Sequence, residues 1–115
     1  MCGEVIQGTH PLTARNMFVN RYKDKLDCNF YLGITEDNKI KIGITSGDIY
    51  ERFGASWRFD SHLRSIHQIY CSSAINVADL EMLIKHKFNQ ISEYFEFDKL
   101  HEIINIIKEF RTNHN

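Results

Sequence analysis

This 115-residue chain has one proline, only three cysteines and no long apolar run, and its acids and bases nearly cancel. Each scarcity excludes something. With 43% hydrophobic and 25% charged residues and so little proline, the composition is that of a folded domain and not of a disordered tail. Cys2, Cys28 and Cys71 are odd in number and irregularly spaced, which argues for a reducing compartment over a disulfide framework. The N-terminal stretch carries Glu4, His10, Pro11 and Arg15 with no apolar segment, so neither a signal peptide nor a membrane span is expected. Cytoplasm is the default location. A net charge of −1 supplies no global field for nucleic acid, so any such contact would need a local patch. One domain with one core is expected at this length, and there is no internal repeat, low-complexity tract or linker.

What is present centres on residues 29–52, NFYLGITEDNKIKIGITSGDIYER. Phe30, Leu32 and Ile34 alternate with Tyr31, Gly33 and Thr35, and Ile40, Ile42 and Ile44 alternate with Lys41, Gly43 and Thr45. Period-2 alternation predicts two half-buried strands. If Glu36 to Asn38 form a three-residue loop with Asn38 left-handed, Thr35 faces Lys39, Gly33 faces Lys41 and Tyr31 faces Gly43. A two- or four-residue loop without a bulge would turn one strand's isoleucines to water. Parity therefore puts Tyr31 and Lys41 on one face with Gly33 and Gly43. Glycine weakens a strand and often marks close approach of a ligand or a second backbone. A bare, glycine-floored face bearing one phenol and one amine is expected to be a site.

The remaining segments follow in order. Thr13 is expected to cap a helix over residues 14–25, with Met17, Phe18, Tyr22 and Leu26 on one side. Its Arg15, Arg21, Lys23 and Lys25 form either a solvated face or a phosphate-contacting arm. Asp48 with Glu51 gives a capping-box pattern for a short helix that ends at Gly54, packs Ile49 and Phe53 inward and carries Arg52 beside them. In residues 55–65, Trp57 and Phe59 interleave with Arg58, His62 and Arg64, which suits stacking and phosphate contact or a loop that tucks Trp57 and Leu63 inward. Residues 66–71 read as a third strand. Asn76 is expected to cap a helix with the apolar stripe Val77, Leu80, Ile84, Phe88 and Ile91. Glu81 falls at the margin of that stripe, where a carboxylate needs a salt bridge or a metal ion. Residues 94–97 are a short extended piece, and Asp98 is expected to cap a last helix with Leu100, Ile103, Ile104, Ile107 and Phe110 inward.

Two other constellations carry less. His62, His67, Cys71 and His86 fit no tight zinc-ligand spacing. Nothing in the sequence orients Cys28 and His10 as a thiol nucleophile pair.

The hairpin FYLGITEDNKIKIGIT, followed by GDIYERF, LEMLIKHKF and EYFEF, resembles the GIY-YIG nuclease superfamily, and within it the T5orf172-like branch whose second strand reads KIGIT. The resemblance covers residues 29–97, and its specificity lies in the ordered set of elements. It implies an α/β fold: a small antiparallel sheet of about three strands flanked by helices. Residues 1–28 would be an extension with its helix, 29–97 the catalytic domain, and 98–115 a helix packed on it. Tyr31 stands at the tyrosine of the first half-motif and Lys41-Ile42-Gly43 at the second. Arg52 matches the helix arginine, and Glu81 the metal-binding glutamate. Asn29-Phe30 replaces the usual Gly-Ile, and Lys41 replaces the second tyrosine, as it does in some family nucleases. Asn89 corresponds only by position to the polar residue that often completes the site, and His86, near Glu81 on the same helix, either assists there or faces solvent.

The chemistry so implied is metal-dependent endonucleolytic hydrolysis of a phosphodiester, with DNA the expected substrate. Glu81 would hold Mg²⁺ or Mn²⁺, Arg52 would clamp the phosphate, and Tyr31 with Lys41 would activate water. Gly33, Gly43, Thr45, Arg58 and His62 would contact substrate. A homodimer or a protein partner would help so neutral a domain grip a duplex. The alternative is a cleavage-inactive relative that binds nucleic acid or inhibits a host protein, as a phage or mobile-element accessory in the host cytoplasm.

Overall fold

Alternating apolar residues pair into strands, and in the computed structural model, which describes residues 10–47 and 63–114, they do so in one sheet. Helix α1 (Pro11–Tyr22) precedes β1 (Cys28–Thr35) and β2 (Ile40–Thr45). Then come β3 (Leu63–Ser72), α2 (Ala74–Lys87), β4 (Tyr94–Phe95), a 3₁₀ turn over Phe97–Lys99 and α3 (Leu100–His114). The fold is α/β, with an antiparallel four-stranded sheet in the order β3-β1-β2-β4. The fourth strand adds to the three expected. It is the Tyr94-Phe95 piece, which pairs with Lys41 and Ile40 along the free edge of β2.

The hairpin register is the one parity requires. Tyr31 lies opposite Gly43, Gly33 opposite Lys41, and Ile34 opposite Ile40. Asn38 takes the left-handed conformation at φ 65°, and the Thr35 N–H donates to the Lys39 carbonyl at 2.8 Å, closing the three-residue loop. The Thr35 hydroxyl accepts from the Lys39 N–H and bonds the Asp37 carboxylate. Phe30, Leu32, Ile34, Ile40 and Ile42 then join Val77, Leu80 and Ile84 of α2 and Ile103, Ile107 and Phe110 of α3 in one core. Phe18 and Tyr22 of α1 pack against it, so the N-terminal helix belongs to the same body.

The glycine-floored face is not bare. A Cβ at Gly43 would lie 2.5–2.7 Å from the phenol end of Tyr31, so the tyrosine itself occupies that space. At Gly33 a Cβ would meet the Ser65 carbonyl at 3.0 Å and the Leu63 side chain at 3.2 Å, where β3 shifts register against β1. Both glycines admit other parts of this chain, which replaces the expectation of an open floor for substrate.

Helix starts depart from the sequence reading for local reasons. α1 begins at Pro11, not after Thr13, because proline is preset for the first turn and His10 Nδ1 accepts from the Leu12 N–H at 3.2 Å. It ends at Tyr22, so Leu26 lies beyond it and is exposed, and Met17 within it is exposed as well. Ser73, not Asn76, caps α2: its hydroxyl accepts from the Asn76 N–H, while the Asn76 amide donates to the Ser72 hydroxyl. Phe88 caps the C-terminus of α2, and Ile91 lies beyond it, 39% exposed. Asp98 sits inside the 3₁₀ turn before α3, and Ile106 rather than Ile104 packs on the core. The capping-box helix expected after Asp48, with Arg52, and the loop with Arg58 and His62 lie outside the described residues. Among the described residues, no helix is long and apolar enough to cross a membrane.

Replacing Gly43 with alanine forces a methyl group into the Tyr31 ring, and a loss of about 1–3 kcal/mol is expected in urea unfolding. Gly47→Ala, with nothing within 4 Å of the added carbon, is the control and should change stability by less than about 0.5 kcal/mol.

Candidate active site

Lys41 sits on β2, diagonal to Tyr31 on β1, and both side chains are buried. Its ammonium donates to the Tyr31 hydroxyl at 2.8 Å and lies 3.4 Å from the Glu93 carboxylate. The Tyr94 ring is 5.9 Å from the same nitrogen. Pairing of β4 with β2 delivers Glu93, since Tyr94 lies opposite Lys41.

Glu81 comes from the middle of α2 and is only 6% exposed. Among the described residues its ion-pair partner is Lys85, one turn on and itself buried, with the ammonium 3.9 Å from Oε1. Burial pushes the Glu81 carboxyl up to about 7; Lys85 and Lys41 oppose the rise, and the Glu93 charge adds to it. An acid that titrates near neutrality can change charge when a cation or phosphate enters.

These groups share a cleft of about 420 Å³ between α1 and the hairpin, which Tyr31, Lys41, Gly43, Thr45, Glu81 and Glu93 all line. Arg21 of α1 lines it too. The sequence-predicted residues Tyr31, Lys41 and Glu81 therefore converge, with Gly43 and Thr45 beside them. Thr45 accepts from the Gly47 N–H through its hydroxyl at 3.2 Å. Gly33 is not part of the cleft lining; its free side meets β3. Asn89 stands apart as well: at φ 52° it follows the end of α2 and, like His86, lines a different groove. His10 caps α1 and Cys28 is fully buried in the core, its thiol pushed up by burial, so they form no nucleophile pair.

Two cleft residues escaped the sequence reading. Glu93 follows no periodic pattern, and only strand pairing brings it to Lys41. Arg21 was visible as one of four bases in its segment, but nothing distinguished it from Arg15, which is tied to Asp79 at 2.7 Å, or from Lys25, which pairs with Asp27.

Among the described residues no three His, Cys, Asp or Glu side chains converge as a metal cage. Among the described residues the carboxylates at the cleft are Glu81 and Glu93. Magnesium keeps several waters and takes one or two protein carboxylates together with substrate phosphate, so this pair fits such an ion. No family model matches this chain, and no curated protein or solved structure matches it either.

Between pH 4.5, the ordinary value for the Glu81 carboxyl, and about 7 the folded state holds more protons than the unfolded chain, so stability should fall as pH rises through that window and level off above it. Glu81→Gln should flatten the slope and stabilise the protein at pH 8 by up to about 3 kcal/mol, read by urea unfolding at pH 5 and pH 8. An unchanged slope in the variant would mean that Glu81 is not the titrating group.

Proposed function

We propose that this protein is a metal-dependent phosphodiester hydrolase of the GIY-YIG type, acting as an endonuclease on nucleic acid, with DNA as the expected substrate. One observation carries the reading: the Lys41 ammonium holds the Tyr31 hydroxyl at 2.8 Å in the cleft that the buried Glu81 lines. A core has no need to bury an amine, a phenol and a carboxylate together, because each costs desolvation that apolar packing avoids.

Tyr31 acts on water. A free phenol has a pKa of about 10 and is mostly protonated at neutral pH, but a neighbouring ammonium favours the phenolate. The phenolate oxygen takes a proton from the attacking water as the new P–O bond forms and the bond to the leaving oxygen breaks. The Lys41 ammonium, 2.8 Å from the phenol oxygen, stabilises the charge that forms there, and Glu93 pairs with Lys41 at 3.4 Å. Glu81, with Glu93 near it, would hold Mg²⁺ or Mn²⁺, which supplies charge stabilisation at the phosphate and leaving oxygen. Arg52 has the role of phosphate clamp by the resemblance, with Arg58 and His62 along the substrate strand. Arg21 adds a guanidinium at the cleft, suited to a phosphate oxygen. The near-neutral surface implies that a second copy or a protein partner helps to hold a duplex.

A cleavage-inactive domain that binds nucleic acid or a host protein is favoured by one feature. The cleft charges already pair with one another, Lys41 with Glu93 and Glu81 with Lys85, as in a structural ion network.

Incubation of supercoiled plasmid and single-stranded DNA with Mg²⁺ or Mn²⁺ separates the two. Cleavage should be present in the wild type, should vanish in Glu81→Ala, and should drop by about 100-fold or more in Tyr31→Phe. Lys41→Met should move the rate profile to higher pH, since the phenol then loses the charge that favours its ionisation. A folded wild-type protein that cuts nothing with metal present would overturn the enzymatic reading in favour of the binding one.

A further inference from the structure

Lys85 belongs to two places at once. Its ammonium is the partner of Glu81, yet its side chain lines a second and larger groove, about 820 Å³, that Glu81 does not line. This groove lies between the start of α1 and the end of α2, and the active-site reading makes no use of it. Its size is within the range of small-molecule sites, roughly 300–1,000 Å³.

Three features define what would fill it. Its walls are mainly apolar, and they include Leu12, Leu83 and Ile91, which are 51%, 43% and 39% exposed and so hold apolar area against water. Its polar complement is basic or neutral: His10 and His86 join Lys85, and no acid is among the described residues that line it. Finally, Lys85 is only 4% exposed, and among the described residues its ammonium makes no hydrogen bond, the nearest carboxylate oxygen being the one at 3.9 Å. An ammonium carries three donors, and a single ion-pair partner at 3.9 Å leaves them available to a ligand oxygen.

We propose that this groove binds a small amphipathic anion, an apolar body with one carboxylate, whose carboxylate pairs with Lys85 and whose body covers Leu12, Leu83 and Ile91. The ligand and the Glu81 carboxylate then compete for one ammonium, which couples the groove to the cleft across the α2 wall.

Calorimetric titration of the full chain with octanoate, octanol and octylammonium, each in monomeric solution, tests it directly. One octanoate should bind per chain, at least about tenfold more tightly than octylammonium. Lys85→Met should abolish that preference, and Lys85→Arg should retain it. Glu81→Gln, by removing the competitor, should tighten octanoate binding. Leu83→Asp, at an exposed position that folding tolerates, should abolish octanoate binding and so keeps the test valid if Lys85→Met fails to fold. Equal binding of the three ligands, several equivalent sites, no binding, or octanoate affinity untouched by Leu83→Asp would each overturn the proposal.

Discussion

The candidate site depends on one steric relation, the Tyr31 ring lying across Gly43. The glycine has no side chain, so the phenol folds flat over β2 and not upward, and its hydroxyl arrives beside Lys41. With any larger residue at that position the ring would be displaced and the 2.8 Å hydrogen bond lost. The same relation explains why the phenol is 1% exposed although it lies on the polar face of the hairpin. A residue on the lateral strand face has become part of the interior.

Around that pair the charges alternate. Glu93, Lys41, Glu81 and Lys85 are brought together by β4, β2 and α2, and each faces an opposite sign. Such a cluster holds its members in place but costs desolvation, and the raised Glu81 carboxyl shows the cost is not fully offset. A site held in this state responds to charge. On the proposed reading, an arriving cation would relieve the carboxylates and an arriving phosphate the lysines, and either would redistribute the remaining pairs. Lys85 extends this response through α2 to the apolar groove behind it, so two cavities share one ion pair.

Much of this was legible in the linear chain. The strict alternation from Phe30 to Thr45, together with Asn38 in the turn, admitted one register, and the observed pairing of Tyr31 with Gly43 and Gly33 with Lys41 is that register. The core faces of α2 and α3 likewise follow from the 3.6-residue spacing of Val77, Leu80, Ile84, Ile103, Ile107 and Phe110. Caps were harder. Ser73 and Asn76, or His10 and Thr13, compete within one turn for the same orphan N–H groups, and the winner is set by how the preceding chain enters the helix.

The sequence by itself therefore determined the hairpin, its register and the sharing of one face by Tyr31 and Lys41, because side-chain direction in a strand is a matter of counting. It also determined that Glu81 would stand at the edge of a buried stripe. Tertiary structure alone decided that β4 would add to β2 and carry Glu93 to Lys41, that α1 would bring Arg21 to the cleft, and that both glycines would be covered by protein. Those contacts join segments far apart in the chain. Local periodicity states which way a side chain points, but not what comes to meet it.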